Sequence, residues 1–373
     1  MSRKDNGLTR KRRVLVVYGG RSSEHDVSLQ SAASVINNLD RDQYEIVPVA
    51  IDKAGGWHLN DARQFQTPQK ALPVYPEAPR VAITPSPADR ALAEASGGAI
   101  DVVFPVMHGP LCEDGCIQGL LELADLPYVG SGVLGSAISM DKEVTKRLVV
   151  AAGIDTAAFF SFKAAEWRGD ARSITRHLLQ EIGLPLFTKP VNLGSSVGIH
   201  KVKKEEDLAP AIEDSLLYDR KVLVERALDV REIELSVLEQ IDETQPPLVS
   251  LPGEVIPRHE FYSYQAKYLD ENGARFEIPA KLSEIQVQEA QRMARDVFRI
   301  AECEAMARVD LFLEKQTGRL LFNEINTIPG FTTISMYPKM FEASGMSYRE
   351  LLSRLIELAI VRHKRRRDLK RDY

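Results

Sequence analysis

Carboxylate, amide and arginine side chains recur in the strand-like segment “MARVDLFLEKQTGRLLFNEIN”. Its central Thr-Gly predicts a hairpin, and with that threonine in the middle Asp310 lies opposite Glu324. Arg308 then lies opposite Asn326, and alternation along each strand puts the four side chains on one face. Opposed carboxylates repel unless a cation lies between them, and carboxylate and amide oxygens suit Mg²⁺. The segment predicts either a magnesium site or a solvated sheet face with an Arg–Asp pair.

Further polar residues suggest a phosphate-bearing ligand. Lys189 is enclosed by apolar residues in “LFTKPV” and requires a counter-anion. Ser195 and Ser196 lie in “NLGSSVGI”, a loop that either turns backbone N–H groups towards a phosphate or is an ordinary turn. Glu225 and Glu232 are either exposed strand ends, or they belong to a hinge strand that reads adenine and ribose.

Two loops near the amino end are also candidates for binding. His108 in “MHGPLCEDG” is either a substrate contact or a strand-end residue. The two cysteines of “CEDGC” have no nearby partners that would complete a zinc site. In “GGRSSEHDVS”, Glu24 and Ser28 could cap the next helix, but such loops at the carboxyl ends of parallel strands also bind ligands.

The elements that must position these residues form a mixed pattern of strands and helices. “RVLVVYGG”, “YEIVPVAID” and “IDVVFPVMHG” are apolar runs typical of buried parallel strands, with a helix after the first. They predict an α/β, Rossmann-like, parallel-sheet domain over residues 1–135. Shorter alternating segments then predict two α+β lobes, over 136–230 and 231–373, the second containing the hairpin.

The bulk composition restricts the function. The chain has 373 residues, of which 44% are hydrophobic and 27% charged, a composition that is ordinary for a globular protein. Its net charge of −5 argues against a general nucleic-acid binder. Three cysteines indicate reduced thiols and a cytoplasmic setting, and we expect no membrane span. The basic runs at the two chain ends are interpreted as solvated tails.

Seven stretches in order, from Arg13 to Ala359, resemble the D-alanine–D-alanine ligases of the ATP-grasp superfamily. They are “GGRSSEHDVSLQSA”, “HGPLCEDG”, “SMDK”, “TKPVNLGSSVGIHKV”, “VERALDVREIE”, “FYSYQAKY” and “ARVDLF…FNEINTIPGFT”. The resemblance implies a two-lobed ATP-grasp domain after the Rossmann-like one. It also implies ATP-dependent joining of two D-alanine molecules through an acyl phosphate, for peptidoglycan precursor synthesis. Mg²⁺ or Mn²⁺ is the implied metal, with two ions per site, and relatives are commonly homodimers.

The resemblance also implies roles for individual residues, none of which follows from spacing alone. The implied ATP contacts are Lys142, Lys189, Ser195, Ser196, Glu225, Ala227, Leu228, Glu232, Phe261 and Phe322. The implied metal ligands are Asp310, Glu324 and Asn326. The implied substrate contacts are Glu24, His108, Arg308, Gly330, Ser335 and Met336. The implied catalytic set is Glu24, Ser195, Lys267, Tyr268 and Arg308, in which Glu24, Ser195 and Tyr268 latch the loop that carries Lys267.

Other functions remain open at this point. Tyr268 favours a dipeptide product, but a ligase that joins D-alanine to D-lactate or D-serine is the alternative. Cys112 departs from the glycine that many relatives have in this loop. The lack of a GxGxxG motif argues against the hypothesis of a dinucleotide oxidoreductase. The presence of Lys189, Arg308, Asp310, Glu324 and Asn326 together argues against the hypothesis of a non-catalytic nucleotide-binding regulator.

Overall fold

The computed structural model describes residues 10–65, 67–88, 90–257 and 274–370. The amino-terminal part contains β1 (Arg12–Gly19), α1 (His25–Asn38), β2 (Tyr44–Ile51), β3 (Trp57–Leu59) and β4 (Val102–Val106). These strands form a sheet of order β3-β2-β1-β4, in which β1 runs parallel to β2 and to β4. The central strand is fully buried from its second residue onwards because helices cover both faces, which explains its continuous apolar run.

Short helical elements lie between β3 and β4 and after β4, where they lead to the remainder of the chain. They are a 3₁₀ turn at Ala62–Phe65, α2 (Ala91–Ser96), α3 (Cys116–Leu123), α4 (Val133–Met140) and α5 (Lys142–Ala151). Asp141 caps the amino end of α5, and its side chain accepts a hydrogen bond from the backbone N–H of Val144. This cap sets where Lys142 and the next turn of the helix lie.

The central part of the chain is a small antiparallel sheet with two helices. Its elements are β5 (Phe159–Lys163), α6 (Ala164–His177), a π-helical turn at Leu178–Ile182, β6 (Leu186–Pro190), β7 (His200–Val202), a 3₁₀ turn at Glu205–Asp207, α7 (Leu208–Ser215) and β8 (Lys221–Arg226). The strand order is β5-β8-β6-β7. Strands β6 and β8 therefore lie side by side, which brings the segments of Lys189 and Glu225 together.

The last part of the chain is built on a larger sheet. Its elements are β9 (Val230–Leu238), β10 (Leu248–Val249), β11 (Gly253–Pro257), β12 (Ala274–Glu277), α8 (Glu284–Ile300), β13 (Met306–Glu314), β14 (Leu320–Asn326), α9 (Met336–Ala343) and α10 (Tyr348–Arg367). The order is β12-β11-β9-β13-β14, with β10 paired to β9. Ser283 and Gln286 form a capping box that starts α8.

The predicted fold class is confirmed, with the parallel sheet first and two further sheets after it. The cores cross the sequence divisions: Leu351 and Leu355 of α10 pack into the core of the amino-terminal sheet, and Val149 of α5 packs under the larger sheet. The division at residues 135 and 230 stays a prediction. Among the described residues, no helix combines the length and apolar character needed to cross a bilayer.

The interpretation of the basic runs as solvated tails is wrong for Arg13, Arg362 and Arg366, which are buried or half-buried, whereas Arg10 and Arg367 are exposed. Arg362 of α10 donates hydrogen bonds to the carbonyls of Gly130 at 2.5 Å and Tyr128 at 2.9 Å. Arg366 pairs with Glu304 at 3.0 Å, and the helix continues to Arg367. The acceptors come from distant parts of the chain, so a local charge pattern could not reveal them.

Candidate active site

The predicted hairpin forms, and its register at the charged residues is confirmed. Strands β13 and β14 pair Arg308 with Asn326 and Asp310 with Glu324. The pairing shifts by one residue immediately after Asp310, so a bulge separates the charged pairs from the turn. On the other side of β13, Glu234 of β9 lies opposite Asp310. Three adjacent strands therefore present acidic side chains in one row across the sheet.

Arg308 is held by two carboxylates in this row. Its Nε and Nη2 donate to the two oxygens of Asp310, each at 2.7 Å, and its Nε lies 3.2 Å from Oε2 of Glu234. Asn326 donates from Nδ2 to Asp310 at 3.1 Å. Burial alone would lower the pKa of Arg308, but Asp310 and Glu234 outweigh it and raise the pKa well above its usual value. The guanidinium is therefore a fixed cation with a defined orientation.

A second charged cluster lies on the small sheet. The buried Glu225 carboxylate accepts from Nζ of Lys189 through Oε2, and its Oε1 lies 2.6 Å from Nζ of Lys146. Burial opposes the charge of each group. The two ammonium groups nevertheless lower the pKa of Glu225, and Glu225 raises the pKa of Lys189. For Lys146, burial prevails and lowers the pKa, with Glu225 offsetting part of it. The predicted counter-anion of Lys189 is thus Glu225.

A cleft of about 650 Å³ separates the two clusters, within the range of cavities that hold small molecules. Its walls come from both lobes and carry charges of both signs. The predicted residues that line it are Lys142, Lys189, Ser196, Glu225, Ala227, Leu228, Glu232, Arg308, Asp310 and Glu324. Lys142 reaches across to the hairpin side, where its Nζ lies 3.6 Å from Oε2 of Glu324. The fold therefore gathers at one cleft residues that are far apart in the sequence.

The serine loop contacts the amino-terminal domain. Ser195 donates from Oγ to the carboxylate of Glu24, and Ser195 and Ser196 both have left-handed backbone angles, with φ of 55° and 60°. Glu24 makes no side-chain cap to α1, so the capping alternative is wrong for it. Ser28 does not cap either: its Oγ donates to the carbonyl of Val106 and accepts from the N–H of Gly19.

Comparison with known proteins identifies the family of this chain. The family model described as D-ala D-ala ligase N-terminus matches residues 13–131, and that described as D-ala D-ala ligase C-terminus matches residues 148–357. A D-alanine–D-alanine ligase A from Bradyrhizobium diazoefficiens is 53% identical, over 97% of this chain and 99% of its own. The chain belongs to the D-alanine–D-alanine ligase family.

Solved structures of this ligase family share the whole fold. The D-alanine–D-alanine ligase from Coxiella burnetii matches with a TM-score of 0.78 and 37% identity, over 96% of each chain. A D-Ala:D-Ser ligase from Enterococcus faecalis matches with a TM-score of 0.78 and 32% identity, over 94% of this chain and 100% of its own. Family members that differ in the acceptor amino acid thus resemble this chain to a similar degree in backbone.

In this ligase-family chain, His108 joins the amino-terminal domain to the segment after the hairpin. Its Nδ1 lies 3.2 Å from the carbonyl of Ile328 and 3.5 Å from Glu113, and its Nε2 lies 3.0 Å from Oγ of Ser31. Burial alone would lower the pKa of His108, but Glu113 and the nearby Glu24 raise it. Burial raises the pKa of Glu113.

The remaining predicted substrate contacts lie after the hairpin. A Cβ at position 330 would lie 2.6 Å from Oγ of Ser335, so only glycine fits there without a shift. Ser335 accepts a hydrogen bond from the N–H of Thr332 at 3.0 Å. The side chain of Met336 is buried at the start of α9, and Phe322 is buried beneath the cleft without being one of its lining residues. Phe261, Lys267 and Tyr268 lie outside the described residues.

Two site residues were missed by the sequence reasoning, Lys146 and Glu234. Lys146 follows Lys142 by one helical turn, and Glu234 follows Glu232 by two residues on the same strand face. Both spacings were visible in the sequence. What was not visible is that α5, which packs against β14, brings Lys146 next to Glu225 of the small sheet, and that β9 pairs with β13.

The oxygen ligands on the hairpin suit a hard metal ion. Across the described part of the chain, no group of three or more His, Cys, Asp or Glu residues is arranged to hold a metal. The hairpin offers instead two carboxylates and one amide, from Asp310, Glu324 and Asn326. This set fits Mg²⁺ or Mn²⁺, which commonly completes its shell with water and phosphate oxygens rather than with protein ligands alone.

Proposed function

We propose that this protein joins two D-alanine molecules to D-alanyl-D-alanine through an acyl-phosphate intermediate, with conversion of ATP to ADP and phosphate, for peptidoglycan precursor synthesis. The observation that carries the proposal is a cleft lined by Arg308, Asp310 and Glu324 of the hairpin together with Lys142 of α5 and Lys189 of the small sheet. One wall offers oxygen ligands and the other offers cations, as a metal-bound nucleotide triphosphate requires.

Asp310, Glu324 and Asn326 are the residues that would hold two Mg²⁺ or Mn²⁺ ions. When bound, such ions neutralise charge on the phosphoryl group that is transferred. Lys142 and Lys189 supply further positive charge from the opposite wall, and the loop of Ser195 and Ser196 offers backbone N–H groups to the phosphates.

The remaining cleft residues would bind the nucleoside. Glu225, Ala227 and Leu228, at the end of β8 and in the segment that leads to β9, would surround the adenine, with Phe261 and Phe322 as its apolar neighbours. Glu232 would accept hydrogen bonds from the ribose. Glu225, Ala227, Leu228 and Glu232 all line the cleft, which supports these roles.

Activation of the first D-alanine explains the need for ATP, since a free carboxylate is a poor acylating agent. Its carboxylate attacks the γ-phosphate to give an acyl phosphate and ADP. The amine of the second D-alanine then attacks the acyl carbon, and phosphate leaves. Arg308, held by Asp310 and Glu234, stabilises the negative charge on the tetrahedral carbon's oxygen together with the Gly330 backbone.

The amino-acid contacts come from three parts of the chain. Glu24 would bind the first ammonium group, with His108 nearby, while Ser335 and Met336 would bind the second carboxylate. Ser195 already bonds to Glu24. With Tyr268, this pair would latch the loop that carries Lys267 and exclude water from the acyl phosphate.

The test is phosphate release by purified protein with ATP and Mg²⁺. D-alanine, L-alanine, D-alanine with D-lactate and D-alanine with D-serine are compared at neutral pH, and products are identified by mass. We expect turnover with D-alanine alone to exceed that with each mixed product. Preferential formation of a D-lactate or D-serine product would replace the proposed acceptor, and no turnover with any pair would refute the ligase assignment.

The setting of the enzyme is a further part of the proposal. Peptidoglycan precursors of this kind are assembled from ATP and free amino acids, which favours a cytoplasmic enzyme that acts on small molecules rather than on nucleic acid or membranes. A homodimer is proposed by similarity to relatives, and sedimentation of the purified protein tests it.

A further inference from the structure

Lys146 is a buried cation behind the cleft that the proposed mechanism does not use. Its side chain is 1% exposed, whereas that of Lys189 is 12% exposed and lines the cleft. A lysine that reaches no solvent carries a large desolvation cost, and the surrounding protein must compensate for it. The contacts of Lys146 show what the compensation is.

Lys146 is fixed from three sides. Its Nζ lies 2.6 Å from Oε1 of Glu225 and donates to Oγ1 of Thr156 at 2.7 Å. Thr156 in turn donates to the carbonyl of Phe322 at 2.8 Å. The rings of Phe159 and Phe322 lie 5.9 Å and 5.7 Å from the ammonium, within cation–π range. The ammonium is therefore held in one place by groups from both lobes.

Glu225 consequently has one partner on each oxygen. Oε2 faces Lys189 on the cleft side, and Oε1 faces Lys146 on the side away from the cleft. For Lys189 to contact a phosphate, it must give up part of its bond to Glu225. If Lys189 were the sole cation beside Glu225, its departure would leave the buried carboxylate uncompensated. That state is unfavourable, so Lys189 would remain bound to Glu225.

We propose that Lys146 is a positioning residue for the nucleotide site: it remains with Glu225 when Lys189 turns to the nucleotide, and so makes Lys189 available for phosphate. The inference rests on the proposed ATP-binding function. It assigns no contact between Lys146 and the substrates, and it requires no change in charge of either lysine.

The proposal predicts that the effect of Lys146 on nucleotide affinity depends on the charge of Glu225. In Lys146→Met the carboxylate keeps only Lys189, so Lys189 stays bound to Glu225. We expect the Kd for MgATP, measured by isothermal titration without D-alanine, to rise about tenfold or more. In the Glu225→Gln background, no carboxylate competes with the phosphates for Lys189. Lys146→Met should then change the Kd for MgATP by less than about threefold.

Two controls separate this effect from a general disturbance. Arg147→Met alters the next residue of the same helix, whose side chain is 67% exposed, and should leave the Kd unchanged. Thr156→Val removes the hydroxyl that anchors Lys146 while keeping both charges of the pair. It should raise the Kd about threefold in the wild-type background and not in Glu225→Gln, which provides the same comparison if Lys146→Met does not fold.

The outcomes distinguish the inference from the function on which it rests. If wild-type protein does not bind MgATP, the proposed function fails. If wild-type protein binds and Lys189→Met binds poorly, the function stands and the substitutions behind the cleft decide the inference. Equal effects in the wild-type and Glu225→Gln backgrounds, for Lys146→Met or, if that variant does not fold, for Thr156→Val, would overturn it. An unchanged Kd in Lys146→Met would overturn it as well.

Discussion

Arg308→Lys tests the central charged residue without removing its charge. The arginine makes two hydrogen bonds of 2.7 Å to Asp310 through Nε and Nη2, a planar arrangement that an ammonium cannot reproduce. Lysine can keep one of these bonds at most. A hydrogen bond to a charged group contributes about 1.5–3 kcal/mol, so we expect the folded state to lose roughly that amount.

The catalytic effect should exceed what this loss of stability explains. If Arg308 also donates to the developing oxyanion, loss of that donor costs about 2.7–4 kcal/mol in the transition state, or about 10²–10³ in kcat. The KM for ATP should change little, because the lysines of the small sheet remain. Phosphate release under saturating ATP and D-alanine measures kcat, and urea unfolding measures stability.

The matched control is Arg319→Lys, in the hairpin turn immediately before β14, where the side chain is 61% exposed. This variant should retain the wild-type kcat and stability. A kcat for Arg308→Lys within about threefold of wild type, in protein that remains folded, would refute the oxyanion role. A large rise in the KM for ATP with normal kcat would show instead that Arg308 acts on the nucleotide.

Four further substitutions test other parts of the proposed site and the fold. Asp310→Asn should raise the Mg²⁺ concentration for half-maximal activity by about tenfold or more, and an unchanged Mg²⁺ titration would contradict its role as a ligand. Tyr268→Phe should loosen the loop and improve the use of hydroxy-acid acceptors, whereas identical acceptor selectivity would count against the latch. Arg362→Ala removes two hydrogen bonds and a cation–π contact at 4.8 Å to Tyr128, so it should lower the free energy of unfolding by about 2–3 kcal/mol. The surface control Arg354→Ala should leave the free energy of unfolding nearly unchanged, and equal unfolding curves for the two variants would contradict the prediction. His108→Gln should destabilise the protein most below about pH 6.5, because the raised pKa of His108 contributes stability there that is lost as the pH rises through that pKa. If the difference in unfolding free energy between wild type and His108→Gln grew towards alkaline pH instead, the pairing of His108 with Glu113 would be contradicted.

The hairpin shows which part of the strand pairing can be predicted from the local sequence pattern. Alternation and the Thr-Gly turn were sufficient to pair Asp310 with Glu324, since both are properties of adjacent segments. The bulge immediately after Asp310 was not predicted, because nothing in the residue types marks where a ladder shifts. The prediction succeeded at the charged residues and would have failed if extended towards the turn.

Other contacts depend on elements that are distant in sequence. The interpretation of the terminal arginines as solvated failed because their acceptors, such as the Gly130 carbonyl, become neighbours only when α10 packs on the amino-terminal domain. Lys146 could be seen as one turn from Lys142, but its contact with Glu225 forms only because α5, packed on β14, lies next to the end of β8 in the fold.

The sequence by itself determined the order of the sheets, the family and the side chains that could bind a metal-bound nucleotide, because strand periodicity and ordered motifs are local properties. Only the tertiary structure decided which charges became partners: Glu225 between two lysines, Arg308 between two carboxylates, and Glu24 with Ser195. The physical reason is that electrostatic pairing depends on distance and burial, and both are set by how separate elements pack.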